Sequence, residues 1–293
     1  EATTGGRYYH QRSLHRIFTS ADERAFWATR RQEPTLAGLL AEPEDHPTID
    51  LPAPDGVGEV KGTGWLDVPA MLKRVRDWLL AQGSLMEAEF HPSRLTDTPE
   101  GVRWQSDSGE VFARKAIFCE GYRMVMNPFF RWLPMRPAKG ELLLIEVPGL
   151  HLDHLTHRGL FLVPMGGARY WAGATYAWGD LQPDPTEAQR QHIIEKLEKL
   201  LGRPFNVLAH QTGIRPTVRD RRPLIGLHPA RPNLAVFNGL GTKGVMLVPH
   251  FAEQFTAFLQ GNAVLDPAVN IDRFAHCLNG PVPRAGGLDK PIT

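Results

Sequence analysis

From Asn238 to Phe255 the chain reads NGLGTKGVMLVPHFAEQF, with Gly239, Gly241 and Gly244 inside six residues and no acidic side chain before Glu253. Glycines open backbone angles closed to other residues, and their missing side chains let another molecule approach the main chain. A helix launched from such a turn directs unpaired N–H groups and partial positive charge at whatever rests before it, which suits an anionic ligand. The same residues also suit a tight strand-to-helix turn that binds nothing, and the pattern alone leaves both readings open.

Other chemistry-bearing residues are less promising. His151, His154 and His157 in HLDHLTH sit three apart, and on an extended segment that spacing alternates faces, so no metal site is expected. No G-x-S-x-G elbow marks a serine hydrolase. Cys119 and Cys277 are the two cysteines. Cys119, in the apolar run AIFC, reads as a small core residue, and neither thiol has C-x-x-C or zinc spacing nearby.

The glycine turn must be positioned by its neighbours. Leu234–Phe237 is a short apolar run introduced by Pro232 and Asn233, the signature of a buried strand. After Gly244, residues Met246, Leu247, Phe251, Phe255, Phe258 and Leu259 recur at helical spacing, Pro249 falls in the first turn or kinks the helix, and Gly261 stops it. Upstream, Tyr8 to Phe18 alternates like a strand. Ser20 with Glu23 forms a capping box for a helix ending before Pro34. Residues 33–62 read mostly as loop. Asp67 caps a further helix with Pro69 in its first turn, Leu72, Val75 and Leu79 on one face and Gly83 at its end. Strands are expected at LMEAEF, GVRWQ and EVFARKAIFCEG, with a hairpin turn at Ser106 to Gly109, then at GELLLIEV, GLFLVP and RYWAGATY. Thr186 with Gln189 opens a helix whose Ile193, Ile194, Leu197 and Leu201 face inward and which stops at Gly202 and Pro204.

Composition excludes some classes. With 293 residues and 42% hydrophobic content, the chain can bury a core large enough for two domains. A formal charge of +1, from 33 basic and 32 acidic residues, argues against a general nucleic-acid binder. No apolar run nears the roughly 18–20 residues that span a bilayer, and no signal peptide is present, so a soluble cytoplasmic protein is expected. The chain opens on Glu1 rather than Met, as a processed product or a fragment does.

Four segments in register carry a resemblance: GWLDVPAMLKRVRDWLLAQGSLMEAEF; AIFCEGYR leading to PMRPAKGELLLIE; TGIRPTVRDRRPLIG; and NGLGTKGVMLVPHFAEQF. Together they resemble the FAD-dependent amine and amino-acid oxidase family, the group of D-amino-acid oxidase and glycine oxidase, from about Tyr8 to Phe274. The resemblance implies a mixed α/β fold, a partial FAD-binding Rossmann-like domain interleaved with an antiparallel-sheet substrate domain. It divides the chain into substrate segments 1–63 and 130–218, cofactor segments 64–129 and 219–262, and a tail, 263–293.

The resemblance also implies a site. Gly239, Leu240, Gly241, Thr242, Lys243, Gly244, Val245 and Met246 would lie against the flavin ring, with the helix N-terminus stabilising negative charge on the reduced ring. Lys243 either adds a full charge there or points to solvent. Arg215 matches the arginine that grips the substrate carboxylate through two parallel hydrogen bonds; its alternative is a structural pairing with Asp220. Gly121 matches a turn running past the cofactor, and Phe90 marks the backbone contact to adenine. The implied reaction takes a hydride from the carbon beside the nitrogen of a small amino acid or secondary amine.

One departure is large. In that family a G-x-G-x-x-G fingerprint in a βαβ unit of about 30 residues normally opens the protein; no such unit opens this chain, and GVGEVKGTG, Gly56 to Gly64, lacks its flanking strand and spacing. The pyrophosphate seat is therefore expected upstream of Glu1, and the chain as given is expected to bind FAD weakly or not at all. Two other functions fit the sequence: a flavin-dependent enzyme acting on a modified tRNA base, like the oxidoreductase domain of a bifunctional tRNA-modifying enzyme, and a non-catalytic binding module.

Overall fold

A computed structural model of the chain describes residues 5–44, 49–278 and 280. They form two compact units, Glu1–Leu85 with Gly140–Thr175 and Asp184–Thr212, and Met86–Lys139 with Tyr176–Pro183 and Gly213–Thr293. Both are mixed α/β.

The first unit is built on a sheet. Its strands run in the order Ala138–Glu146 (from Gly140 onward in this unit), Arg169–Gly173, Phe161–Pro164, Leu155–His157, Leu14–Ile17 and Val57–Val60. Every neighbouring pair is antiparallel except Leu155–His157 with Leu14–Ile17. Alternation in GELLLIE sends Leu143 and Ile145 into the core, where they join Ile193, Leu197, Leu200 and Leu201 of the helix Glu187–Leu201. Burying each such side chain stabilises the unit by roughly 1.5–3 kcal/mol, so Leu197→Ala would cost about 2–5 kcal/mol.

This helix starts where Thr186 accepts a hydrogen bond from the Gln189 N–H and stops at Gly202, whose φ is +61°. The reciprocal half of the capping box is supplied from elsewhere. Buried Glu141 accepts from the Thr186 N–H at 2.8 Å and from its hydroxyl at 3.0 Å. The first capping box is likewise rearranged: Ser20 accepts from the Glu23 N–H at 3.2 Å, while the Glu23 carboxylate reaches the N–H of Thr19 at 2.8 Å.

The second unit holds an antiparallel meander, Leu95–Thr98, Gly101–Ser106 and Gly109–Ala113, and a three-stranded sheet. In that sheet Arg231–Asn238 lies between Leu224–His228, antiparallel, and Ala116–Phe118, parallel. Leu234, Ala235 and Val236 are fully buried, and Phe251 and Phe255 of the helix Gly244–Leu259 pack on Ile225 and Ala235.

Several expectations need correcting. The unit boundaries fall elsewhere than 63/64, 129/130 and 218/219. The pairing of Tyr9 with Leu66, and the bond from the Asp67 N–H to the Tyr8 carbonyl at 2.9 Å, hold the start of Val68–Ala81 to the first unit. Met135 bridges Val218, which draws 130–139 and 213–218 into the second. Leu85 to Phe90 is not a strand, because no described segment offers it a ladder partner. Leu72 is 56% exposed and Val68–Ala81 has no buried residue, since periodicity shows which residues share a face and not what covers it. Cys119 is exposed at the end of its strand. Met246 is 77% exposed, with Leu247 facing inward instead.

Candidate active site

Buried Asn238, at the end of its strand, fastens two glycine turns. Its side-chain oxygen accepts from the Gly239 N–H at 2.7 Å, and its amide donates to the Gly121 carbonyl at 3.0 Å. Gly121, Gly239 and Gly241 have φ of +59°, +73° and +58°, the left-handed region that glycine enters without cost. A Cβ on Gly239 would sit 2.7 Å from Val218 Cγ2, whereas one on Gly121 would meet nothing within 4 Å. Gly244 differs: its φ of −53° is ordinary helix. The helix it opens has no side-chain cap and no acidic residue in its first turn.

Gly239, Leu240, Gly241, Thr242 and Lys243 form one wall of a cavity of about 460 Å³, within the range of small-molecule sites, about 300–1,000 Å³. Arg136, Tyr176, Trp178, Thr217, Arg219 and Arg221 contribute to the rest. Tyr176 and Trp178 are exposed rings in edge contact, centroids 4.9 Å apart. The Arg136 guanidinium lies over Trp178 at 4.4 Å and that of Arg215 over Tyr176 at 5.2 Å, both within cation–π reach. Burial pushes the Arg215 pKa down, and the neighbouring Tyr176 opposes this.

The aromatic pair is held by its own segment. Ala177 pairs with Lys139 and Trp178 with Ala138, and buried Lys139 donates to Asp180 at 2.8 Å. Asp220, the alternative partner of Arg215, is taken by Arg273 Nε at 3.0 Å and by the Arg222 N–H at 3.0 Å. Among the described residues Arg221 is the non-glycine one with positive φ, +60°, a conformation that persists where surrounding structure imposes it.

The other sequence-derived candidates fall as follows. Lys243 is exposed on the cavity wall. Gly244, Val245 and Met246 continue into the first helical turn without lining the cavity. Phe90 is in a ring cluster with Trp104 at 5.3 Å and Phe118 at 5.8 Å and does not line the cavity. His154 stacks on His15 at 3.8 Å, His157 packs on Phe161 at 4.2 Å, and His151 lines a separate cavity. Among the described residues no group of three or more His, Cys, Asp or Glu side chains is placed to hold a metal. Sequence reading missed Asn238, Arg136, Tyr176, Trp178, Arg219 and Arg221. The i, i+2 spacing of Tyr176 and Trp178, which puts both rings on one face, was the available signal.

The profile of the FAD dependent oxidoreductase family matches residues 2–258. The chain belongs to that family. A glycine oxidase of Bacillus licheniformis is 28% identical over 184 residues, covering 60% of this chain and 49% of its own length. The chain thus spans about half the length of that relative. A tRNA 5-methylaminomethyl-2-thiouridine biosynthesis bifunctional protein of Azoarcus sp. (strain BH72) is 27% identical over 265 residues, covering 78% of this chain and 41% of its own. Among solved structures, iminodiacetate oxidase from Chelativorans sp. BNC1 has a TM-score of 0.75 at 15% identity, covering 91% of this chain and 76% of that one. At such identity the likeness shows a shared fold. No helix among the described residues is long and apolar enough to cross a membrane.

FAD is the family's cofactor, and the chemistry of this turn fits an anionic group. Space lies open beside Gly121, the Gly244 helix start has no side-chain cap, and among the described residues the cavity wall carries no carboxylate. The sequence contains one G-x-G-x-x-G, Gly239 to Gly244, and it is this same turn between the strand Arg231–Asn238 and the helix Gly244–Leu259.

Proposed function

We propose that this chain is the ring-binding and substrate-gripping part of an FAD-dependent oxidoreductase that oxidises the C–N bond of a small amino acid or secondary amine bearing a carboxylate. Bound FAD supplies the acceptor for the hydride on the carbon beside the amine nitrogen. The second unit is the proposed cofactor unit, with Gly121 and Gly239 to Met246 along the ring. The helix N-terminus and Lys243 favour negative charge there. Arg215 holds the substrate carboxylate, and Tyr176 and Trp178 exclude water from the reacting carbon. The substrate nitrogen sheds a proton, and the resulting imine hydrolyses in water to a carbonyl compound and an amine.

The observation that carries this reading is the pairing of a half-buried arginine and an aromatic wall with an uncapped glycine turn, in a chain of this family. Arg215→Ala tests it on the protein loaded with FAD. Hydrogen bonds to charged groups contribute roughly 1.5–3 kcal/mol each, so kcat/KM for carboxylate-bearing amines is expected to fall about tenfold to a hundredfold. Arg215→Lys should recover only part, because an ammonium cannot reproduce the fork, and flavin content should not change. An equal loss on carboxylate-free amines would falsify the assignment.

A second reading, oxidation of an amine on a tRNA base, is favoured by the likeness to the bifunctional tRNA-modifying protein and by the basic residues on the cavity wall. It predicts RNA binding that weakens steeply with salt.

A further inference from the structure

Among the described residues the cavity wall carries four cationic side chains, Arg136, Arg219, Arg221 and Lys243, and no carboxylate. The two carboxylates nearest in sequence are already engaged: Asp180 by Lys139 at 2.8 Å and Asp220 by Arg273 at 3.0 Å. A cleft lined by one sign of charge concentrates ligands of the other sign. The proposed function uses one of the four, Lys243 beside the ring end, together with Arg215, which is not on the cavity wall but lies over the Tyr176 ring, for one carboxylate. Arg136, Arg219 and Arg221 remain without a counter-charge in that reading.

Arg136 is the best placed of the three. Its backbone N–H donates to the Thr217 carbonyl at 2.7 Å, and its own carbonyl accepts from the Thr217 hydroxyl. Its guanidinium lies over Trp178, the ring in contact with the one under Arg215. Two guanidiniums over two touching rings can hold two anionic groups of one small ligand.

We infer that the substrate is an amine carrying two anionic groups, a dicarboxylic amine, whose second carboxylate is held by Arg136. This rests on the reading that Arg215 holds the first. Arg136 is accordingly a specificity-determining residue, and neutral or monocarboxylic amines are poorer ligands.

Calorimetric titration tests this by binding alone, without turnover. Aspartate and iminodiacetate are compared with their monoamides, which keep the shape and remove one charge, on the purified chain with and without added FAD in the absence of dioxygen. An exposed ion pair contributes up to about 1 kcal/mol, so each dicarboxylate is expected to bind about fivefold tighter than its monoamide. Arg136→Gln should abolish that gap. Equal binding of acid and amide, a gap that survives Arg136→Gln, or no measurable dicarboxylate binding in either series overturns the inference. So does inorganic phosphate competing as well as the dicarboxylates, which would make the basic wall a general anion site. If acid and amide bind equally but both need Arg215, this inference fails and the proposed function stands. If neither depends on Arg215, both fall.

Discussion

The three glycines of the turn separate what the fold needs from what a ligand needs. At Gly239 an alanine must adopt φ of +73°, and its methyl would lie 2.7 Å from Val218 Cγ2 and 3.0 Å from both Leu224 Cγ and Leu224 N. Left-handed backbone costs a non-glycine residue about 1–2 kcal/mol, and overpacking adds about 1–3 kcal/mol. Gly239→Ala is therefore expected to destabilise by about 2–5 kcal/mol. At Gly241 the φ is +58° and the nearest atom, Thr217 Cγ2, is 3.3 Å away, so about 1–2 kcal/mol is expected. At Gly244 the φ is −53° and the nearest atom is Leu240 Cβ at 3.6 Å. Alanine fits there and should stabilise by up to about 1 kcal/mol through helix propensity. Urea unfolding followed by tryptophan fluorescence measures the order, and each kcal/mol corresponds to about 2–4 °C in melting temperature for a unit of 150–250 residues. Quenching of FAD fluorescence measures the other side: Gly244→Ala should weaken FAD binding while the protein becomes more stable. A Gly244→Ala variant as unstable as Gly239→Ala would refute the turn geometry, and unchanged FAD affinity would remove Gly244 from the ring contact.

Glu141→Ala should cost about 2–4 kcal/mol, since it strips two hydrogen bonds to a buried carboxylate from the helix start at Thr186. Gln189→Ala should stay within about 0.5 kcal/mol, and reversed magnitudes in denaturant melts would show that the local box, not the sheet, caps the helix. Burial raises the Asp180 pKa, but hydrogen bonds from Lys139 and the Gln182 N–H outweigh it and hold the carboxyl below its ordinary range. Its contribution, about 1–2 kcal/mol after allowing for partial exposure, is present above about pH 4 and lost as pH falls through the depressed folded value. Asp180→Asn should remove that acid-side loss and reduce the affinity of carboxylate ligands by loosening the Tyr176–Trp178 segment; calorimetry showing unaltered affinity would refute the positioning role. Burial, then the Arg16 charge, lower His157 to about 4 against the opposing pull of Glu23. From the unfolded value of about 6.5 down to about 4, the unfolded chain binds a proton that the folded one does not, so stability falls with pH across that window. A ring titrating near 6.5 by NMR would overturn this.

What the sequence disclosed was local. Ser20, Asp67 and Thr186 each cap their helices, and Gly83 and Gly202 end theirs with φ of +63° and +61°. Those outcomes depend on a few adjacent residues. What it concealed was tertiary: whether Leu85 to Phe90 finds a ladder partner, whether Leu72 finds cover, and whether Glu141, 45 positions from Thr186, replaces the partner three residues away. The site divides along the same line. The glycine turn was legible because one contiguous segment makes it. The opposite wall is drawn from 136, 176–178 and 217–221, and no local pattern announces that these meet.

Two side chains account for the meeting. Asn238 joins the Gly121 turn to the Gly239 turn through one amide, so the parallel strands that precede these turns end at a fixed distance. Thr217 does the same on the other wall. Its carbonyl and hydroxyl bond the backbone of Arg136, and its N–H donates to the Arg215 carbonyl at 2.8 Å. The Gly241 N–H in turn donates to the Pro216 carbonyl at 3.2 Å. Both arginines and the glycine turn therefore hang from three consecutive residues, Arg215, Pro216 and Thr217. Main-chain bonds of this kind tolerate changes of side chain, so Arg136, Arg219 and Arg221 can differ without disturbing the glycine turn. Under the proposed function the scaffold would separate catalytic geometry from substrate choice, which makes the charges on this wall, rather than the fold, the place to look for the substrate.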